Sequence, residues 1–184
     1  MTFSLRQLRL RAVWLLILPF LVFARPTPSI LVPGAGLALT GALLRTWAAG
    51  TIRKERELST TGPYAHTRNP LYLGSFLIGL GLTLAGGRAT FVLLFIVFFG
   101  WIYGRSVRAE ARLLNKNFGE QYAEYASNVP VFVPRIIPFR VTGEGRSVSA
   151  SGFRLRRWWS NREYEALLGV LAGFAFLITK LLFW

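Results

Sequence analysis

Apolar residues dominate long stretches of the chain, and the polar positions collect in the gaps between them instead of alternating through them. A helix needs roughly 20 mainly apolar residues to cross the hydrocarbon core of a bilayer. Five stretches approach that length, which predicts an all-α fold: a polytopic transmembrane bundle of about five membrane helices with a cytoplasmic amphipathic helix beside them. The first stretch, 12–24, is short and carries Pro19. It must recruit flanking leucines while Arg9 and Arg11 snorkel, or lie shallow. The second, 26–44, spaces Gly34, Ala38 and Ala42 four apart, which suits close helix contact. The third and fourth, 71–87 and 89–103, are joined by Gly86-Gly87-Arg88, a link that leaves room for nothing but a tight helical hairpin. The fifth, 166–184, has Lys180 close enough to its end to snorkel and Trp184 placed for the interface.

Over 105–127 the pattern changes in kind. Val107, Ala111, Leu114, Phe118 and Tyr125 recur at helical spacing, while Arg105, Arg108, Arg112 and Lys116 point elsewhere. This predicts an amphipathic helix that continues the fourth span out of the membrane and bends at Gly119. The segment 141–161, rich in Gly, Ser and Arg, reads as a flexible linker ending in the interfacial Arg156-Arg157-Trp158-Trp159.

Composition agrees with the pattern: 53% of the residues are hydrophobic and the mean hydropathy is +0.42, too apolar for an ordinary soluble domain. Charge adds a direction. Lys and Arg number 22 against 8 acidic residues, and they meet lipid headgroups between the apolar runs without forming a stripe on a soluble fold, so nucleic acid is excluded as a partner and membrane lipids are expected. The N-terminal arm holds three basic residues, 51–70 four and 105–162 eleven, whereas the opposite connections hold only Arg25 and Arg88. Cytoplasmic loops carry the excess, which places the N-terminus and both long connections inside. Arg6, Arg9 and Arg11 before an apolar run also open signal peptides, but no small-residue cleavage site follows, so the segment is expected to be retained. Without cysteine and with one histidine, the chain has no thiolate nucleophile, disulfide framework or multi-histidine metal site.

The densest polar signal runs from Thr60 through Gly62-Pro63-Tyr64 and His66 to Arg68-Asn69-Pro70-Leu71-Tyr72-Leu73-Gly74. Gly62-Pro63 makes a turn, Asn69 is a competent N-cap, and Pro70 suits the first turn of a helix. The helix end then offers N–H groups and a positive dipole to an anion such as an amino-acid carboxylate, with Arg68 beside it; capping alone is the plainer reading. Gly79 and Gly81 permit close approach of a ligand or of another helix. Glu110 lies on the border of the amphipathic face, where its carboxylate can face a cavity or pair with Arg108 or Arg112. Tyr122 and Tyr125 offer rings to a cation or to the interface. His66 is either a base or a loop hydrogen-bonding group.

Taken together, Gly62-Pro63-Tyr64, Arg68-Asn69-Pro70-Leu71-Tyr72-Leu73-Gly74, then Glu110, Phe118-Gly119, Tyr122, Tyr125 and a later Val-Pro pair resemble the isoprenylcysteine carboxyl methyltransferase and phospholipid methyltransferase family over 51–134. The resemblance implies S-adenosylmethionine as cofactor on the cytoplasmic side and a lipophilic acceptor entering from the bilayer: an isoprenoid or prenylcysteine carboxylate, or a phospholipid amine. By position it implies cofactor contacts from Tyr64, Arg68, Asn69, Tyr72, Gly79, Gly81 and Glu110, with Arg68 and Glu110 as the catalytic pair. It divides the chain into N-terminal membrane helices (1–50), a methyltransferase-like core (51–140), and a linker with a C-terminal membrane helix (141–184). The chain departs from the family in having Arg-Asn-Pro where Arg-His-Pro is frequent, and Glu110-Ala111 where two glutamates are. Two rival readings stay open: an NADPH-dependent sterol- or steroid-type membrane reductase, and a non-catalytic membrane protein of the same fold.

Overall fold

The computed structural model describes residues 14, 16–52, 57–140 and 152–184. Arg6, Arg9 and Arg11, the basic run 53–56 and the linker over 141–151 lie outside the described residues. Helix α1 is described over 16–23; it is followed by α2 (Pro28–Thr51), a single 3-10 turn (Gly62–Ala65), α3 (Pro70–Ala85), α4 (Ala89–Asn128), α5 (Leu155–Ser160) and α6 (Glu163–Phe183). Three of these, α2, α4 and α6, are long and apolar enough to cross a membrane. Helix α3, at 16 residues, spans about 24 Å, short of the roughly 30 Å hydrocarbon thickness. The full extent of the first predicted span lies outside the described residues.

The packing is that of a membrane protein. Gly34, Ala38, Gly41 and Ala42 are buried on α2, while Val32, Leu39 and Leu43 are exposed. Lipid is as apolar as leucine, so helices associate here by backbone proximity, and small residues provide it. A Cβ on Gly81 of α3 would sit 2.5 Å from the Gly34 carbonyl oxygen, and one on Gly41 would sit 2.5 Å from that of Gly74. The predicted four-residue spacing on α2 is thus the seam of the α2–α3 pair.

The α3–α4 hairpin turns at Gly87, which has φ +77 and whose missing Cβ would collide with the Arg25 carbonyl. Beyond it α4 continues for 40 residues, about 60 Å, twice the hydrocarbon thickness, so its second half leaves the membrane. At Gly119 (φ 48, ψ −121) the helix breaks, the position the sequence indicated. Arg105, Arg108, Arg112 and Lys116 are exposed, and Tyr122, Tyr125 and Val129 form a buried cluster against Ala111, Leu114 and Phe118.

Helix α5 falls inside the segment read from sequence as linker. It closes the end of α2, whose last carbonyls lack intrahelical partners. Asn161 Nδ2 donates to the Ala49 carbonyl (2.9 Å), the Arg154 N–H to Gly50 (3.0 Å) and Arg157 Nη1 to Thr51 (3.1 Å). At the opposite end of the bundle Lys180 Nζ donates to the Leu21 and Val22 carbonyls, and Arg88 Nε to Phe23, capping α1.

Candidate functional site

The loop 65–69 is held by a strap, residues 129–140, that follows α4. The Arg68 N–H donates to the Pro130 carbonyl (2.9 Å), Arg135 N–H to His66 (2.9 Å) and Phe139 N–H to Ala65 (2.9 Å). His66 Nδ1 meets the Arg135 carbonyl at 2.8 Å, so this nitrogen carries the proton. Asn69 does not cap α3 with its side chain: its Nδ2 donates instead to the Val131 carbonyl at 2.9 Å. From below, the Tyr125 hydroxyl donates to the Tyr64 carbonyl at 2.8 Å.

These contacts fix one wall of a cavity of about 530 Å³. Tyr64, Arg68, Asn69 and Tyr72 line it from the loop and α3, and Glu110 from α4. Two of its polar atoms, Tyr64 Oη and Arg68 Nε, are buried with no hydrogen-bond partner among the described residues. Buried polar groups are nearly always paired, and leaving one unmade costs about 1–3 kcal/mol. Burial, and after it the nearby Glu110 carboxylate, hold the Tyr64 phenol well above its ordinary pKa, so it is a neutral hydroxyl with a proton to donate. Glu110 is exposed and forms no ion pair among the described residues.

Five of the seven residues assigned from sequence to the cofactor therefore share this cavity, and Tyr125 lines it as well. Gly79 and Gly81 do not line it. Gly81 is consumed by the α2 contact, and a Cβ on Gly79 would strike the Phe95 ring at 2.3 Å. Tyr122 and Tyr125 are buried as the cluster under the loop. Ala111 faces that cluster, where a second carboxylate would be surrounded by apolar rings. Two other carboxylates line the cavity instead, Glu57 and Glu163.

Gly79 belongs to a second cavity of about 660 Å³ walled by α1, α3, α4 and α6. Its lining is aromatic and aliphatic, with Phe91, Phe95, Phe98, Phe99 and Phe176 prominent. Tyr72, Ser75 and Tyr103 line both cavities. The Tyr72 and Tyr103 rings meet edge-on with centroids 5.3 Å apart, and Phe99 stacks on Tyr103 at 4.1 Å. A polar chamber and an apolar one thus meet along a seam of three residues.

Sequence reading missed the ion pair at this seam. Arg45 of α2 holds Glu163 of α6 with two parallel bonds, Nε to Oε2 at 3.0 Å and Nη2 to Oε1 at 2.8 Å, and its Nη1 also donates to Ser75 Oγ. The partners lie 118 positions apart, and no local periodicity connects them. The available signal was an arginine ending an otherwise uncharged membrane stretch and an acid opening another.

Residues 33–121 match the model of the phospholipid methyltransferase family, which bears out the resemblance carried by the motifs. The nickel-cobalt-cadmium resistance protein of Alcaligenes xylosoxydans xylosoxydans is 38% identical over 109 residues, 58% of this chain and 49% of that protein. The cobalt-zinc-cadmium resistance protein of Cupriavidus metallidurans is 39% identical over 111 residues, again 58% and 49%. The protein-S-isoprenylcysteine O-methyltransferase of Schizosaccharomyces pombe is 32% identical over 83 residues, 45% of this chain and 35% of that enzyme. The chain spans about half the length of the two resistance proteins. No solved structure matches.

Proposed function

Taking residues 33–121 as a phospholipid methyltransferase-type region, we propose that the chain is an integral-membrane methyltransferase that uses S-adenosylmethionine and a lipophilic acceptor at the cytoplasmic face of the bilayer. One observation carries this reading. Tyr64 Oη and Arg68 Nε are buried, with no partner among the described residues, in a cavity that Glu110 also lines and that shares a seam with an apolar chamber.

The donor set fits the cofactor. Arg68 offers charge-assisted bonds to an amino-acid carboxylate, Glu110 accepts from an ammonium or ribose hydroxyl, and the Tyr64 phenol donates one more bond. The cofactor, when bound, supplies a methyl group already activated on a sulfonium. Orientation and exclusion of water are left to the protein. The aromatic chamber receives the hydrocarbon part of the acceptor, and Tyr72, Ser75 and Tyr103 stand where its polar head would meet the donor site. Holding the two reactants in line contributes through proximity, and a dry seam strips water from a charged nucleophile. A carboxylate acceptor needs no general base, consistent with His66 being engaged by the Arg135 carbonyl. The donor site is assigned mainly to 51–140, with Arg45 and Glu163 reaching it from outside that core. The basic residues of 51–70 and 105–162 support a cytoplasmic mouth.

The relatives' names bear on acceptor and role. That of the Schizosaccharomyces pombe enzyme supports a prenylated carboxylate as one acceptor class. Two relatives are named for metal resistance, but direct metal ligation finds little support in a chain with no cysteine and one histidine. The test is incubation of membranes enriched in the chain with methyl-labelled S-adenosylmethionine, followed by organic extraction. Label is expected in the lipid fraction; label in neither lipid nor protein, from membranes that hold the folded chain, overturns the reading.

A further inference from the structure

Helix α6 lies outside the region that matches the methyltransferase family, yet it walls both cavities. Glu163, in its first turn, lines the polar chamber, while Ala172, Gly173 and Phe176, two to four turns further on, line the apolar one. Its packing on the core is thin: most of its surface faces outward, with Leu177 as its one fully buried apolar side chain among the described residues. Against that thin contact stands one buried, bidentate ion pair. The Glu163 side chain is 7% exposed and that of Arg45 22%.

Arg45 is built into the site. Its stem crosses α3 in the groove left by Gly74, where a Cβ would lie 2.5 Å from Arg45 Cγ. Beyond that groove its guanidinium reaches Ser75 Oγ and, at 3.4 Å, the Leu71 carbonyl. Ser75 in turn donates to the Leu71 carbonyl at 2.9 Å and is one of the three residues common to both cavities. The chain Glu163–Arg45–Ser75 therefore ties the thinly packed wall, α6, to the seam. Removing one member of a buried pair strands the other charge, so the arrangement is either closed or strongly disfavoured.

We propose that Arg45 and Glu163 are positioning residues: their ion pair latches α6 as the common wall of the two chambers and holds Ser75 at the seam, so that the acceptor is seated productively only while the pair is closed. This rests on the reading of the two cavities as donor and acceptor sites. Neither residue is placed on the reacting atoms.

The chain is free of cysteine, which permits a direct test. Leu82→Cys on α3 and Gly173→Cys on α6 replace residues in contact across the apolar chamber, and oxidative cross-linking of the full chain in membranes reports closure of α6 without any need for turnover. Glu163→Gln and Arg45→Gln are expected to slow cross-linking at least fivefold, and the exchanged pair Arg45→Glu with Glu163→Arg to restore most of the rate. In the cysteine-free background the single variants are expected to raise KM for the labelled lipid acceptor at least tenfold, a larger effect than on the Kd for S-adenosylmethionine, whose cavity both residues also line. An unchanged cross-linking rate in the single variants overturns the latch, as does failure of the exchanged pair to restore it in a chain still inserted in the membrane. A loss of cofactor affinity as large as the rise in KM overturns it too, because the pair would then act on the donor and not on the seating of the acceptor. If the parent chain transfers no methyl group, the proposed function falls while the cross-linking arm still decides the latch.

Discussion

Tyr64→Phe separates a ligand-binding hydroxyl from a structural one, because the two roles predict opposite signs. Tyr64 Oη is buried with no partner among the described residues, and the Glu110 carboxylate is among the groups acting on it. A buried hydroxyl without a partner costs about 1–3 kcal/mol, and replacing Tyr64 by Phe removes that unmet polar atom. The ligand-free protein is therefore expected to gain about 1 kcal/mol, or roughly 2–4 °C in apparent melting temperature in detergent. The same change deletes one hydrogen bond to the cofactor, worth about 0.5–1.5 kcal/mol, so the Kd for S-adenosylmethionine is expected to rise about 2- to 12-fold. Because the folded-state pKa of Tyr64 is raised, the hydroxyl keeps its proton throughout the neutral range, and both effects are expected to be the same at pH 6 and pH 9. The sign of the linkage confines any pH effect to alkaline conditions: above about pH 10 the unfolded chain releases a proton that the folded chain retains, and this contribution to stability falls. Paired melting and equilibrium-binding measurements on the two proteins check the argument. A ligand-free Tyr64→Phe protein less stable than its parent, with unchanged cofactor affinity, would refute it.

Further outcomes follow from the same geometry. Arg68→Ala and Glu110→Gln are each expected to weaken S-adenosylmethionine binding by at least about 1.5 kcal/mol, the scale of a charge-assisted hydrogen bond, and unchanged equilibrium binding would remove the residue concerned from the pocket. Gly81→Ala drives a Cβ against the Gly34 carbonyl and is expected to cost about 1–3 kcal/mol in thermal unfolding, whereas Gly36→Ala, with nothing within 4 Å of the new Cβ, is expected to be neutral or to gain up to about 1 kcal/mol. His66→Ala removes the bond to the Arg135 carbonyl and is expected to cost about 1 kcal/mol of stability while leaving the methyl-transfer rate within about threefold; a loss of 10²-fold or more would mark a general base.

What the sequence disclosed and what it withheld divide along physical lines. The Gly86-Gly87-Arg88 hairpin, the small-residue face of α2, and the break at Gly119 are local properties of spacing and backbone freedom, and each was legible. So was the clustering of Tyr64, Arg68, Asn69 and Tyr72, because one turn and one helix start carry all four, and Glu110 joins them through the hairpin. Gly79 and Gly81 were ambiguous for the same reason: a missing Cβ admits a helix as readily as a ligand, and here Gly34 and Phe95 fill the space. Asn69 stands at the N-cap of α3 as read, but its side chain makes no capping bond, and the partner of its Nδ2, the Val131 carbonyl, lies 62 positions away. Arg45 and Glu163 were invisible on the same ground, since only the packed bundle brings the end of one membrane helix to the start of another.

Binding of S-adenosylmethionine in the cavity of Tyr64, Arg68 and Glu110 is decided by ligand-dependent thermal unfolding of the purified chain. A ligand present at 100 times its Kd stabilises the folded state by about 2.7 kcal/mol. S-adenosylmethionine is expected to raise the unfolding temperature saturably, by several degrees, with NADPH without effect. Protection by NADPH and none by S-adenosylmethionine would contradict the account.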